Sequence, residues 1–220
     1  PRFLRAKTTL LSLAANGEEA YANALAVTGS ALRGSLYSDD LAVKLRGYRA
    51  EDELIAMMRA APARSGLDRA QYADLKFWLP GDILTKVDRT SMAVSLEARE
   101  PLLDHRLIEF AAGLPERMRV RGKQGKWLMK RAMRRYLPDE ILYRSKQGFV
   151  PPIAQWLRGP LAGEARALAS NATLARTGWF EPKRIARLAE AHIAGRADHS
   201  RLLWQLLMLE KSVTKLGISA

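Results

Sequence analysis

The chain has 220 residues, of which 48% are hydrophobic and 27% are charged. This composition is typical of a globular protein with one large domain or two small ones. The chain contains no run of about 18 apolar residues, so the sequence predicts no transmembrane helix. The sequence contains no cysteine, which excludes disulfides, a thiol nucleophile and thiolate metal ligands from these residues. We expect a cytoplasmic protein.

The net charge of +13 is concentrated in one part of the chain. Residues 117–146, called the basic segment below, contain eleven Lys or Arg and two acidic residues. Such a local excess indicates an anionic ligand, which could be nucleic acid, an acidic lipid or the phosphates of a nucleotide. A solvated helix face rich in arginine explains most of these residues equally well.

Apolar residues recur at steps of three and four through most of the chain, which predicts an all-α fold with few strand signals. Ser38 and Asp68 are predicted N-caps, and Pro80-Gly81-Asp82 predicts a break between two helices. The predicted helices cover residues 3–15, 18–32, 41–45, 54–60, 70–79, 83–96, 102–114, 122–135, 139–142, 153–157, 161–169, 182–194 and 200–216.

Charged side chains are unusually dense around the predicted helix 83–96. They are Lys86, Asp88, Arg89, Glu97 and Arg99, and they alternate with apolar residues such as Leu84 and Val87. If this helix is buried, the charges must pair, because an unpaired buried charge is costly. Asp88 and Arg89 fit a functional and a structural role equally. Glu97 and Arg99 favour a structural salt-bridge network.

A predicted loop follows the basic helix and carries Arg144, Lys146 and Gly148. Lysine is a good partner for phosphate oxygens, and a loop glycine lets the backbone approach a ligand. An ordinary basic surface loop is the alternative. The three histidines, His105, His192 and His199, lack metal-ligand spacing, so we predict no metal site. The five tryptophans are interpreted as packing anchors.

Two long motifs resemble the C-terminal part of the synthetase domain of glutamine-hydrolysing asparagine synthetases. They read LPGDILTKVDRTSMAVSLEAREPLLDHRLIEFAAGLP and GKQGKWLMKRAMRRYLPDEILYRSKQGFVPPIAQWL. The resemblance is strong over residues 72–157 and continues through DHSRLLWQLLMLEKS. It divides the chain into a variable helical segment, 1–71, and a family segment, 72–220. The motifs PGDILTKVDR and DHSRLLWQLLM are most similar in sequence to those of bacterial amidotransferases associated with exosortase and exopolysaccharide gene systems.

The resemblance implies the helical C-terminal portion of an α/β synthetase domain of the ATP-pyrophosphatase type. A complete member adenylates the side-chain carboxylate of aspartate with ATP and Mg²⁺, and ammonia from a glutaminase domain then forms the amide. Lys146 matches the family lysine that contacts the pyrophosphate of ATP, and Arg144 and Gly148 flank it. Asp88 and Arg89 match polar residues of the active-site cleft. Glu97, Arg99 and Asp104 match a signature that is expected to fix the cleft wall.

Three family features are absent from these residues: the SGGxDS pyrophosphate loop, the acidic segment that completes the nucleotide and magnesium site, and the glutaminase domain. We therefore expect the isolated chain to be inactive and to bind neither ATP nor Mg²⁺. Its expected partners are the remainder of the synthetase domain, a glutaminase domain and a small carboxylate, with a homodimer as a candidate assembly and no membrane partner. The alternative function is a basic helical module that holds an acidic partner such as nucleic acid.

Overall fold

The computed structural model describes residues 17–122, 124–145, 148 and 151–217. In the first half of the chain the α-helices are α1 (Gly17–Leu25), α2 (Ser30–Gly34), α3 (Asp39–Leu45), α4 (Ala50–Ala60), α5 (Gly66–Ala73), α6 (Thr85–Met92) and α7 (His105–Ala112). They are followed by α8 (Glu116–Arg119), α9 (Trp127–Met133), α10 (Asp139–Leu142), α11 (Ile153–Arg158), α12 (Ala162–Ala167), α13 (Ala172–Thr177), α14 (Pro182–Ile193) and α15 (Ser200–Leu216).

Three helices of other types and one hairpin complete the described secondary structure. A π-helix covers Asp74–Leu84, and 3₁₀ helices cover Pro101–Leu103 and Leu168–Ser170. Strands β1 (Val120–Arg121) and β2 (Gln124–Gly125) pair antiparallel. The predicted helical class is therefore confirmed for the described residues. The predicted helix 3–15 lies outside them.

The chain divides into two compact units. The terminal unit contains the described residues 17–53 and 151–217, and the middle unit contains those between 54 and 148. The boundary between the units on the N-terminal side falls within α4. The division into 1–71 and 72–220 rests on the family resemblance and stays a prediction. No helix in the described part of the chain is long and apolar enough to cross a membrane.

The core of the terminal unit is built on α15. Leu202, Leu203, Leu206 and Leu207 recur on one face of this helix and are all buried, as expected for residues spaced at the helical repeat. Their cluster includes seven further buried residues: Leu36, Leu157, Ala165, Leu168, Leu174, Ile185 and Ala189. The apolar face of α15 thus packs with residues from α11 to α14 and from the segment after α2.

Backbone hydrogen bonds connect the two chain segments of the terminal unit. Tyr37 and Phe180 form an antiparallel bridge. On either side of it the N–H of Ser38 donates to Trp179 O (2.9 Å) and the N–H of Glu181 donates to Leu36 O (2.9 Å). These bonds satisfy polar groups of connecting loops that would otherwise lie unpaired beside the core.

A buried histidine is fixed beside this core. His192 is fully buried, and its Nδ1 accepts a hydrogen bond from the backbone N–H of His199 (3.3 Å). Its Nε2 lies 3.2 Å from Ala154 O. Because a carbonyl only accepts, Nε2 must carry the proton, and the neutral imidazole connects the end of α14 to α11. In this arrangement the role of His192 is structural.

Helix caps show where local sequence signals hold. The prediction for Ser38 is confirmed, because its hydroxyl accepts from the N–H of Leu41 (3.2 Å). The prediction for Asp68 is wrong, because Ser65 caps α5 instead by accepting from the N–H of Asp68 (3.1 Å). Asn171 caps α13, a helix that the sequence interpretation missed, by accepting from two backbone N–H groups.

The predicted helix break at Pro80-Gly81-Asp82 is wrong. The chain stays helical from Asp74 to Leu84, but in the π form. Proline has no N–H and its ring clashes with the carbonyl four residues earlier in an α-helix. The wider π turn joins residues five apart and so changes the carbonyl that faces the ring. The hydroxyl of Thr85 then donates to Pro80 O (2.6 Å).

Three predicted helices are shorter than the apolar pattern suggested, because the backbone leaves the helical region. The helix over 122–135 begins only at Trp127, since Gly122 in the turn of the β-hairpin and Lys126 directly after it have φ values of 59° and 57°. The helix over 83–96 ends at Met92, ahead of Ser95 with φ 59°. The helix over 18–32 is divided by the extended residue Gly29.

Substitution of a core leucine tests the role of α15. Leu203 is fully buried, so Leu203→Ala should lower the free energy of unfolding by about 2–5 kcal/mol through lost burial and a cavity. Urea denaturation followed by circular dichroism measures this change. Leu216 lies on the same helix and is 70% exposed, so Leu216→Ala should change stability by less than about 0.5 kcal/mol. Equal effects would contradict the packing described.

Candidate active-site surface

An open cavity of about 380 Å³ lies in the middle unit beside the π-helix and α6. Its lining residues are Pro80, Leu84, Thr85, Val87, Asp88, Ala98 and Glu100. The floor is largely apolar, and the two ionisable lining groups are carboxylates. Such a cavity suits a small ligand that carries an amine or another hydrogen-bond donor, and its charge repels phosphates.

Helix α6 places Asp88 at this cavity. Leu84, just before α6, and Val87 and Asp88 within it fall within about one helical turn of each other, so they present a common surface. The hydroxyls of Thr90 and Ser91 donate to the backbone at Lys86 O (2.7 Å) and Asp88 O (3.1 Å). Neither Asp88 nor Arg89 forms an ion pair with another described residue, so the Asp88 carboxylate is available to a ligand.

The segment after α6 closes the other side of the cavity. The left-handed Ser95 turns the chain back, and the N–H of Leu96 donates to Ser91 O (3.0 Å). This turn brings Ala98 and Glu100 to the lining. Glu100 was not a candidate from sequence, because its contribution depends on the backbone conformation at Ser95 rather than on a residue pattern.

The charges around α6 are exposed, contrary to the expectation that they are buried and must pair. Lys86 pairs with Asp82 across one helical turn (3.6 Å), and both side chains are more than half exposed. Glu97 pairs with Arg99, two residues away (2.9 Å), and this pair is also exposed. It does not connect α6 to another element, so the predicted network that fastens this helix to its neighbours is wrong.

Apolar side chains between Met92 and Phe110 are exposed as well. Met92, Val94, Leu96, Leu102 and Phe110 have between 53% and 75% of their surface accessible. A group of large exposed apolar residues within one short stretch is typical of an interaction surface rather than of a free surface. We call these five residues the apolar surface of the middle unit.

Asp104 fixes the start of α7. Its carboxylate accepts from the backbone N–H of Arg106 (2.9 Å) and from the guanidinium of Arg106 through Nε (3.0 Å) and Nη2 (2.9 Å). The Arg106 side chain, helped by that backbone N–H, holds the pKa of Asp104 below its usual value. Asp104 therefore caps α7, and its predicted role in fixing the cleft wall stays a prediction.

Two of the predicted phosphate-binding residues, Arg144 and Gly148, are described and lie away from the cavity lining. Arg144 and Gly148 are exposed, and neither lines the cavity, nor does Arg89. Lys146 lies outside the described residues, so its role stays a prediction. The structure thus places Asp88 at a cavity and does not bring Arg144 or Gly148 to it.

Aromatic rings hold several cations of the basic segment. The guanidinium groups of Arg121 and Arg131 lie 5.1 and 5.6 Å from the centre of the Trp127 ring. Lys130 lies 5.5 Å from the Tyr143 ring, and Arg135 lies 4.7 Å from the Tyr136 ring. The interpretation of Trp127 as a packing anchor is therefore incomplete, since its ring also carries two cations.

Carboxylates pair with only two cations of the described basic segment. Arg119 pairs with Asp68, and Arg134 pairs with Asp139 at 3.0 Å. The residues 17–122, 124–145, 148 and 151–217 contain no group of three or more His, Asp or Glu arranged as metal ligands.

Comparison with known proteins places these features in a family. The asparagine synthase family model matches residues 2–214. The chain is 32% identical over 144 residues to asparagine synthetase [glutamine-hydrolyzing] 1 of Bacillus subtilis, covering 66% of this chain and 22% of that protein. It is 37% identical over 141 residues to a putative asparagine synthetase [glutamine-hydrolyzing] of Mycobacterium bovis, covering 64% and 21%.

A mammalian protein shows the same similarity. The asparagine synthetase [glutamine-hydrolyzing] of Mesocricetus auratus is 32% identical over 143 residues, covering 56% of this chain and 24% of that protein. The chain thus spans about a fifth to a quarter of the length of these curated relatives. No solved structure gives a significant match.

The Asp104–Arg106 pair can be tested by titration. Arg106→Gln should raise the pKa of Asp104 toward the ordinary value of about 3.9, because the ionised carboxylate loses its cation. Carbon-detected NMR of the Asp104 carboxyl measures this pKa. In the wild type, the stabilisation by ionised Asp104 is present at neutral pH and is lost as the pH falls through the lowered pKa. Arg99 pairs with Glu97 instead, so Arg99→Gln should leave the pKa of Asp104 unchanged. An unchanged Asp104 pKa in Arg106→Gln would contradict the pairing.

Proposed function

Because this chain belongs to the asparagine synthase family, we propose that it is the helical C-terminal part of an ATP-dependent amidotransferase that uses glutamine as its nitrogen donor. The observation that carries the proposal is the family match along nearly all of the chain, combined with the cavity at Asp88. The relatives are named as asparagine synthetases, and we propose aspartate as the acceptor on that basis. The resemblance to exopolysaccharide-associated amidotransferases extends the acceptor class to other carboxylates, including sugar acids.

The proposed reaction activates a carboxylate and then forms an amide. A carboxylate oxygen attacks the α-phosphorus of ATP, the bond to the β-phosphate oxygen breaks, and pyrophosphate leaves. Ammonia then attacks the acyl carbon of the adenylate, AMP departs with the electron pair of the acyl–oxygen bond, and a proton is lost from nitrogen. Cations close to the departing pyrophosphate stabilise the charge that develops on it.

We assign the phosphate side of this reaction to the loop with Lys146, Arg144 and Gly148. Lys146 would contact the pyrophosphate, with the Arg144 guanidinium as a second cation and Gly148 allowing close backbone approach. The described residues hold no acidic cluster that fits Mg²⁺. We therefore assign no step to the metal in this chain and place its ligands in the remainder of the synthetase domain.

Asp88 and Glu100 line a cavity of the opposite charge. Phosphates and the reacting carboxylate are repelled there, whereas an amino group or ammonia can donate hydrogen bonds to these carboxylates. We propose that Asp88 holds the nitrogen-bearing end of a substrate and that Arg89, beside it on α6, contributes to the wall of the cleft. The apolar floor formed by Leu84 and Val87 would exclude water from this end of the site.

The remainder of the synthetase domain is the proposed partner of the apolar surface of the middle unit. The chain spans only about a fifth of the length of the bacterial relatives, and Met92, Val94 and Leu96 are exposed in the chain segment between the lining residues Asp88 and Ala98. Covering these side chains would bury apolar area and so stabilise the association. We also propose that a glutaminase domain is a second partner, that the protein is cytoplasmic and that it assembles as a homodimer.

The role of Lys146 is tested in the full-length enzyme. Lys146→Ala should lower the rate of pyrophosphate exchange into ATP by about 10²–10³-fold, because a cation that stabilises the departing pyrophosphate is lost. Glutamine hydrolysis, measured as glutamate release, should change by less than a factor of about two. Lys44→Ala removes an exposed lysine of α3 and serves as the control. Equal loss of both activities would indicate misfolding, and full exchange activity would contradict the assignment.

ATP binding by the chain alone tests the proposed division of the site. Isothermal titration of the 220-residue chain with ATP and Mg²⁺ should show weak binding or none, because the pyrophosphate loop and the acidic metal site are not among these residues. Tight stoichiometric binding that depends on the adenosine group, so that inorganic pyrophosphate does not reproduce it, would show that the chain contains a complete nucleotide site and would contradict the proposal.

A further inference from the structure

The ring of Trp127 brings together two arginines from different elements. Arg131 follows Trp127 by one helical turn on α9, whereas Arg121 ends strand β1 and pairs with Gln124. Their guanidinium carbons lie 5.6 and 5.1 Å from the same ring centre. Both distances fall within the range of a cation–π interaction. The β-hairpin and α9 are therefore joined through a ring that contacts two positive charges.

This arrangement leaves the two positive charges without a counter-charge. Neither Arg121 nor Arg131 forms an ion pair with any carboxylate in the described part of the chain, and both are exposed. Because both cations contact the same ring and neither is neutralised, both attract an anion that reaches the edge of that ring. An arginine stacked on an aromatic face keeps the N–H donors at the edge of its planar group free for such an anion.

The other described arginines nearby differ from this pair. Arg119 and Arg134 are neutralised by Asp68 and Asp139. Arg135 stacks alone on Tyr136. Among the described residues, the Trp127 ring thus contacts two guanidinium groups that no carboxylate neutralises. Arg135, which stacks alone on its ring, serves as the control residue.

We infer that Arg121 and Arg131, supported by Trp127, form a binding site for an oxyanion with two or more negative charges, such as a phosphoryl, pyrophosphoryl or dicarboxylate group. Two guanidinium forks offer several parallel N–H donors to such oxygens. Nucleic acid is disfavoured, because the chain's own cations occupy faces of the Trp127, Tyr136 and Tyr143 rings that stacked bases would need. This site goes beyond the phosphate role proposed for Lys146 and uses different residues.

Inorganic pyrophosphate is the probe for this site. Binding to the 220-residue chain is measured by isothermal titration and by phosphorus NMR at fixed ionic strength. Arg121→Gln and Arg131→Gln should each weaken pyrophosphate binding at least about tenfold, since each removes one charged fork. Arg135→Gln removes the same charge from the same segment and should weaken binding less than about twofold, because this arginine is stacked singly.

A further variant separates the contribution of the Trp127 ring from that of the arginine charges. Trp127→Leu keeps both arginines but removes the ring, so pyrophosphate binding should weaken by an intermediate factor while circular dichroism shows the helical content of the wild type. If Trp127→Leu loses its helical content, the two arginine variants, which change exposed side chains, decide the result alone.

Several outcomes would overturn the inference. The first is that the wild-type chain does not bind pyrophosphate, and the second is that Arg135→Gln weakens binding as much as the two proposed variants. A third is that an oligonucleotide binds far more tightly than pyrophosphate with a steep salt dependence, which would indicate a nucleic-acid surface. None of these results affects the exchange assay of Lys146→Ala, so the inference and the proposed function fail independently.

The source of the anion is distinguished in the full-length enzyme. If ATP with Mg²⁺ displaces pyrophosphate from the site, the site serves the phosphates of the reaction's own nucleotide. If pyrophosphate binding persists with ATP bound, the site takes a separate phosphorylated or dicarboxylate compound. Both results require binding that is lost in Arg121→Gln and Arg131→Gln, and binding that is insensitive to both substitutions refutes the site.

Discussion

The leucine face of α15 is the surface on which the terminal unit is assembled. Leu203 and Leu207 contribute to one cluster with Leu157 of α11, Leu174 of α13 and Ile185 of α14. Without this face, each of those short helices would have no place to bury its apolar side, since helices of six to twelve residues are marginal alone. The caps, the Tyr37–Phe180 bridge and the buried imidazole of the terminal unit all depend on helices held in this way.

The middle unit follows a different principle. The five residues of its apolar surface are exposed, and the charge pairs around α6 are local, whereas Arg119 of α8 pairs with Asp68 of α5. Its features of functional interest are surface features: an open cavity with two carboxylates, and cations that lack carboxylate partners. Such a surface is complete only when a ligand or another part of a protein covers it, which agrees with a chain that spans a fraction of its relatives.

The helical class and most helix centres could be predicted from sequence, because they depend on apolar spacing and on local caps such as Ser38. The errors occur where one backbone angle decides the outcome. The left-handed conformations of Ser95 and Lys126 end or delay helices that the pattern extends, and Pro80 produces a π-helix instead of a break. For the same reason, Asp88 could be selected by motif, whereas Glu100 and the Arg121–Trp127–Arg131 group could not. Their contacts depend on turns that no residue pattern specifies.

The terminal unit is discontinuous, and this has a consequence for how the chain acquires its structure. Thr28 bonds to Gln205, a residue 177 positions later, and the middle unit lies between the two segments along the chain. Joining them closes a very long loop, an entropic cost that is met before the contacts of α15 compensate for it. During synthesis, residues 17–53 cannot complete their packing until α15 has left the ribosome, whereas the middle unit can form from contacts within itself. Assembly of the leucine core is therefore expected to be the late step of folding.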